Sequence, residues 1–189
     1  MPVAPLTMRA DLTGVRFPNH VLRAPYSIRN FRKGDDTAWC AIETTAGEFD
    51  NETDAMQRGF DESFRANESL LSDRMFFVVD EKDCPVATAT AWFEGDAGLM
   101  HWVAVHADHQ GKGLARPVII AAMKRMQELG HTQVVLRTHP HSWVAIRLYL
   151  ECGFKPVWDD AANVITGWKA VYEKLGKEFS KDVCIVEPV

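Results

Sequence analysis

Gln110-Gly111-Lys112-Gly113-Leu114-Ala115 is the stretch on which the fold turns. An apolar run, Leu99 to Val105, precedes it, and a helix-like run, Arg116 to Leu129, follows. A strand, a glycine-rich turn and a helix in that order can hold an anion. Glycine lets the backbone turn tightly and approach a ligand. The helix start offers N–H groups without intrahelical partners and a partial positive charge. Alone, the Gly111/Gly113 pair reads equally as a tight connection. Its own residues exclude two familiar phosphate sites. The GxxxxGK[ST] spacing of a P-loop is absent. A GxGxxG dinucleotide fingerprint would need glycine where Arg116 stands, after a βαβ unit rather than the meander read below.

Working upstream, Glu81 to Cys84 and Glu94 to Asp96 are short polar turns between apolar runs Met75–Val79, Val86–Phe93 and Leu99–Val105. Short turns between consecutive strands predict an antiparallel meander. Earlier still, Tyr26 to Phe31 alternates as a first strand. Gly34-Asp35-Asp36 supplies an N-cap for a helix over Thr37 to Ala46. Met56, Phe60, Phe64 and Leu71 share one face of a helix over Thr53 to Leu71. Residues 1–25, with Pro2, Pro5, Pro18 and Pro25, read as an irregular lead-in to a domain over 26–189.

Downstream, Pro117 falls in the first turns of the helix, where its missing N–H costs little. Ile120, Met123, Met126 and Leu129 give that helix its apolar face, and Gly130 ends it. Gln133 to Arg137 is then a strand returning parallel to the one before the loop. Ser142 to Cys152 is a helix closed by Gly153, Phe154 to Trp158 a strand, Asn163 to Lys177 a helix and Asp182 to Glu187 a last strand.

Composition sets outer limits. At 189 residues, 47% hydrophobic and 25% charged, the chain suits one α/β domain with a sizeable core. A net charge of −5 and no basic run interleaved with aromatics argue against nucleic acid as partner. No apolar run approaches the roughly 18 residues of a membrane helix, and the N-terminus has no signal-peptide core. Cys40, Cys84, Cys152 and Cys184 form no CxxC pair, so neither a disulfide framework nor a structural metal is expected, and a cytoplasmic setting is.

A second segment gives the loop its context. Ala145-Ile146-Arg147-Leu148-Tyr149-Leu150-Glu151-Cys152-Gly153-Phe154 is an amphipathic helix ending in Gly-Phe, with a tyrosine one turn before the glycine. Val103-Ala104-Val105, four residues, Gln110-Gly111-Lys112-Gly113-Leu114-Ala115, a helix, a strand and then Ala-x-x-Leu-Tyr-x-x-x-Gly-Phe resembles the GCN5-related N-acetyltransferases, the GNAT superfamily. Gln110, Gly113 and Ala115 fit the family pattern [Gln/Arg]-x-x-Gly-x-[Gly/Ala]. The close match covers residues 99–158, and the element order fits over about 26–160.

The resemblance implies a mixed, mainly antiparallel sheet with helices on both faces and a splayed strand pair that receives acetyl-CoA. The pantetheine would pair with the backbone of Val103, Ala104 and Val105. The pyrophosphate would take N–H groups of Gln110, Gly111, Lys112, Gly113, Leu114 and Ala115, with Lys112 and Arg116 adding charge. For Lys112 a solvated side chain is the competing reading. Tyr149 matches the tyrosine near the coenzyme sulfur, where a phenol can protonate a leaving thiolate; as a residue it reads equally as packing.

Two departures bear on the chemistry. Ser142 stands where the family often has asparagine. The strand before the loop carries no acid, its one titratable group being His101, on a face expected to hold Leu99, Val103 and Val105. His101 is a candidate base for an ammonium nucleophile, although a lone histidine on an apolar face is more often a hydrogen-bonded core residue. Glu94 and Asp96 read as solvated, His139 and His141 as loop residues near the acyl position, and Trp39, Phe49, Phe60 and Phe64 as core that could frame the acceptor.

The expected activity is acetyl transfer from acetyl-CoA to an amine of a small molecule or peptide, by direct attack in a ternary complex. A non-catalytic acyl-CoA-binding module and an unrelated phosphate or nucleotide binder stay open. Val183, Ile185 and Val186 could serve a homodimer.

Overall fold

The computed structural model describes residues 4–18, 22–47 and 53–185. Seven strands form one sheet: β1 (Leu6–Asp11), β2 (Ser27–Asn30), β3 (Met75–Val79), β4 (Pro85–Glu94), β5 (Ala97–Val105), β6 (Gln133–Thr138) and β7 (Lys155–Pro156). Their order is β2-β3-β4-β5-β6-β1-β7. The expected meander is present: β2, β3, β4 and β5 pair antiparallel in sequence. The helices are α1 (Asp36–Ala46), α2 (Thr53–Phe64), α3 (Leu71–Arg74), α4 (Ala115–Glu128), α5 (Trp143–Glu151) and α6 (Ala162–Lys174).

The two faces of the sheet bury different side chains. On one, α4, α5 and α6 cover a mostly aliphatic cluster that includes Leu6, Met8, Ala89, Val118, Ile119, Met126 and Leu136. On the other, α1 and α2 bring Trp39, Phe60 and Phe64 onto Phe31, Phe77 and Trp92. The rings meet mainly edge to face: Trp39 lies 5.3 Å from Phe60 and 5.8 Å from Phe64, centroid to centroid, a geometry the aromatic quadrupole favours.

Several expectations are corrected. The lead-in is not irregular: Leu6–Asp11 is an interior strand, pairing antiparallel with β6 over six residues and with β7 at Met8 and Arg9. Leu6, Met8 and Ala10 face the aliphatic cluster while Thr7, Arg9 and Asp11 face away. Asp35 precedes α1 without capping it by its side chain. Its carboxylate instead accepts from Arg29 Nη1 and the Arg32 N–H, both at 2.6 Å. The single helix expected over Thr53 to Leu71 breaks: a 3₁₀ segment, Arg65–Leu70, with non-helical Asn67, separates α2 from α3. The last strand is reduced to a 3₁₀ turn, Lys181–Val183, and a parallel bridge from Ile185 to Val157. Val186, Glu187 and Phe49 lie outside the described residues. All four cysteines are free, and among the described residues no helix is long and apolar enough to cross a membrane.

Candidate active site

The strands on either side of the loop motif separate. β5 and β6 are parallel neighbours at two pairs, Gly98↔Val134 and Leu99↔Val135, and no further. Beyond Leu99, β5 keeps its antiparallel partner β4, while β6 stays zipped to β1 as far as Leu6↔Thr138. A wedge therefore opens between the C-terminal parts of β5 and β6.

Inside that wedge β5 carries a bulge. Thr90 pairs with His101 and Thr88 with Ala104, so Trp102 and Val103 together oppose Ala89. Trp102 sits at φ 49°, where a bulky side chain is uncommon. It is held by an edge-on contact with Trp39, 5.2 Å between centroids, and by Nε1 donating to Ser63 Oγ at 2.8 Å. The extra residue reverses the alternation. His101 shares the aromatic face with Leu99, as expected, but Val103 and Val105 turn to the aliphatic face. A one-residue slip moves every later side chain to the other side of a sheet.

The glycine loop lies at the end of β5. A 3₁₀ turn, Ala107–His109, leads into Gly111 (φ 73°) and Gly113 (φ 75°), and α4 starts at Ala115. A Cβ at either glycine would meet nothing within 4 Å, so backbone conformation, not crowding, requires glycine there. Among the described residues, the N–H groups of Gly111 to Arg116 donate to no backbone carbonyl. Gln110 is spent differently from expectation: its N–H goes to Ala107 O at 3.3 Å and its side-chain amide to Val105 O at 3.2 Å. Leu114 is buried and anchors the loop to the core. Lys112 Nζ closes on Asp108 O at 2.9 Å. Arg116 is turned to Glu151 of α5, which also accepts from Arg147 Nε at 3.1 Å. The lysine and arginine thus brace the loop in this conformation.

Tyr149 lies on the buried face of α5, edge-on to Phe154 at 5.9 Å. The Phe154 N–H donates to Tyr149 O at 3.0 Å, locking the Gly-Phe turn under the tyrosine. A model of the Acetyltransferase (GNAT) family matches residues 37–154, which span α1 through α5 and include both strands of the wedge, the loop and the tyrosine. The chain belongs to the GNAT acetyltransferase family.

Among curated proteins, the GNAT chain is similar to a mycothiol acetyltransferase of Nocardia farcinica, 28% identical over 117 residues, 46% of this chain and 38% of that protein. It is also similar to a mycothiol acetyltransferase of Pseudarthrobacter chlorophenolicus, 27% identical over 172 residues, 81% of this chain and 48% of that protein. The chain spans about half the length of most of the curated relatives it matches. Among solved structures, a GCN5-related N-acetyltransferase from Sphaerobacter thermophilus superposes with a TM-score of 0.63 at 19% identity, over 80% of this chain and 48% of that one, a likeness of fold.

Within this GNAT fold the remaining candidates separate. His101 packs against Phe64, 5.7 Å between centroids, and beside Trp102. Burial pushes its imidazole down to about 4; the Arg137 guanidinium pushes the same way and Glu94 opposes. It is therefore neutral at neutral pH and a weaker base than a free histidine. Glu94 is exposed, as expected, and pairs with Arg137 at 2.7 Å. His139 and His141 stack at 5.4 Å on the exposed turn after β6, and among the described residues no third ligand makes them a metal site. Ser142 ends that turn and does not cap α5 through its side chain.

One residue escaped the sequence reading. Glu43 on α1 is fully buried, one turn past Trp39. Its position was legible, since residues 39, 42, 43 and 46 share one helical face. Thr88 and Thr90 of β4 are also fully buried on this side of the sheet, and neither hydroxyl has a hydrogen-bond partner among the described residues.

Proposed function

We propose that the chain is an acetyl-CoA-dependent N-acetyltransferase acting on an amine by direct attack in a ternary complex. The observation that carries this reading is the wedge: parallel strands that part after two residue pairs, with the α4 loop at the end of one. Parting leaves β5 backbone groups without a β6 partner, a track on which the amides of a pantetheine arm can pair along Val103, Ala104 and Val105. The N–H groups of Gly111 to Ala115 and the N-terminus of α4 suit the pyrophosphate. Leu114 serves as anchor rather than ligand. Lys112 and Arg116 supply long-range charge, their side chains being engaged elsewhere.

The chemistry needs one carbon–nitrogen bond made and one carbon–sulfur bond broken. β5 N–H groups polarise the thioester carbonyl. The departing thiolate takes a proton from the Tyr149 hydroxyl. The amine's proton leaves toward water, and His101 acts as a neutral hydrogen-bond acceptor that orients the nitrogen. An imidazole near 4 is too weak to strip an ammonium directly, so the amine enters neutral. The acceptor is a small-molecule amine, the class to which the name mycothiol acetyltransferase points in the relatives. Val183 and Ile185 remain candidates for a contact with a second copy.

Thiol release from acetyl-CoA over a panel of polyamines, aminoglycosides, amino acids and peptides tests the activity; binding without release favours the non-catalytic module. Tyr149→Phe should lower kcat by about 100-fold and leave the CoA dissociation constant unchanged. Undiminished turnover would remove Tyr149 from the acid role.

A further inference from the structure

β6 continues for three residues beyond its last pair with β5, and Arg137 is the middle one. Its place in the register puts it on the aromatic face of the sheet. Val135, two residues earlier, pairs with Leu99, and Arg137 pairs with Thr7 of β1, whose odd-numbered residues turn away from the aliphatic cluster. Arg137 therefore stands across the open wedge from His101, on the same side. The two sense one another: its charge is among the causes that hold His101 neutral. Half of the Arg137 side chain is exposed. Among the described residues its one ion pair is Nη2 with Glu94 Oε2, itself exposed.

The surface beyond Arg137 is positive too. Arg9 pairs with Val135 and so is a diagonal neighbour of Arg137, about 7 Å away in a regular sheet. Lys155 of β7 lies directly opposite Arg9. Like charges directly opposite cost stability. On this half of the sheet the face is half-buried at Thr7, Arg9 and Val135 and exposed at Arg137 and Lys155, whereas the β3–β5 half lies beneath α1 and α2. Arg137, Arg9 and Lys155 outnumber Asp11 and Glu94 on this face, a local excess of positive charge on a chain of net charge −5.

We infer that Arg137 receives an anionic group of the acceptor, a carboxylate or a phosphate, and so selects amines that carry one. The planar fork matches either group by two parallel hydrogen bonds. Arg9 and Lys155 extend the attraction outward, and Glu94 competes with the incoming anion for the guanidinium. The inference rests on the acetyl-transfer reading only for which side of the wedge takes the acceptor. The coenzyme phosphates have their own place at the α4 loop, at the end of β5 and toward the other face of the sheet.

The test compares matched amines with acetyl-CoA: L-phenylalanine with L-phenylalaninamide, and glucosamine 6-phosphate with glucosamine. The readout is the ratio of kcat/KM, charged over neutral, in wild type and variants. Arg137→Ala should lower that ratio about tenfold or more, through KM, in at least one pair, with CoA binding unchanged. Arg137→Lys should restore part of it, and Glu94→Gln should raise it. A change confined to the amino-acid pair assigns a carboxylate; one confined to the sugar pair assigns a phosphate. An unchanged ratio, an equal loss for both members, or a weaker CoA affinity in Arg137→Ala overturns the inference. Should no amine turn over, melting temperatures decide: the anionic member should stabilise the wild type more than its neutral match, with or without CoA, and not Arg137→Ala. No charge-dependent shift in wild type overturns the inference as well. Failure of acetyl-CoA itself to raise the melting temperature counts against the acetyl-transfer reading, while the anions' own shifts still judge Arg137.

Discussion

The two sides of the wedge are built on different plans. The side assigned to the donor uses contiguous backbone: β5, a loop with two glycines at positive φ, and the first turn of α4. The aromatic face on the proposed acceptor side is built of side chains gathered from afar, with Trp39 from α1, Phe60 and Phe64 from α2, Trp92 from β4 and His101 and Trp102 from β5. Backbone sites tolerate wide sequence change at every position except those fixing φ. Side-chain sites depend on packing, so each member is felt by the others.

The comparison breaks most readily at Trp39. It is fully buried and touches Phe60, Phe64 and Trp102. Trp39→Ala should cost about 3–5 kcal/mol in urea unfolding, and the fraction that stays folded should still bind CoA. A cost under about 1 kcal/mol would show that the aromatic face is not packed as a unit.

His101 gives the next largest effect. The unfolded chain takes its proton near 6.5, the folded one only at about 4. Between those values the unfolded state binds more protons, so stability rises with pH. The contribution is whole above 6.5, is lost as pH falls through the window, and is gone below about 4. The difference corresponds to at most about 3 kcal/mol. Melting curves of wild type minus His101→Gln should show this slope, and a flat difference would place His101 in a wetter setting.

Gly113→Ala probes the other plan. An L-residue at its φ of 75° costs roughly 1–2 kcal/mol, so CoA binding measured by titration should weaken about tenfold with the aromatic face untouched. Loss of stability without loss of affinity would contradict the backbone cradle.

The smallest effect concerns Thr88 and Thr90. Replacing a buried hydroxyl that lacks a partner by a methyl, as in Thr88→Val, should raise stability by about 1 kcal/mol. A fall instead would identify an ordered water bound between the hydroxyls.

The two plans also explain what could be read in advance. The meander, the loop and the tyrosine helix are local patterns in which neighbouring residues carry the signal, and the family resemblance rests on them. The bulge is not local. Trp102 is a residue no rule places at positive φ, and its contacts with Trp39, Ser63 and His101 help keep it there. Simple alternation therefore puts Val103 and Val105 on the wrong face. β1 is legible in part: Leu6, Met8 and Ala10 alternate with Thr7, Arg9 and Asp11, but Pro2, Pro5 and Pro18 around them oppose regular structure. The break after Phe64 (φ −132°) and the non-helical Asn67 inside the following 3₁₀ segment leave little trace beside the apolar spacing of Phe60, Phe64 and Leu71. Arg137 and Glu94, 43 residues apart, meet only because β4, β5 and β6 are neighbours.

The position of β1 has a kinetic consequence. β6 has two pairs with β5 but six with β1. The strand that holds the far wall of the wedge precedes its partner by more than a hundred residues. Closing so large a loop is slow, because its entropy is lost before any pairing rewards it. The meander can collapse early from short-range contacts, whereas the wedge takes its final width only when β1 and β6 find each other. A nascent or refolding molecule should therefore acquire its aromatic core before it can grip a coenzyme.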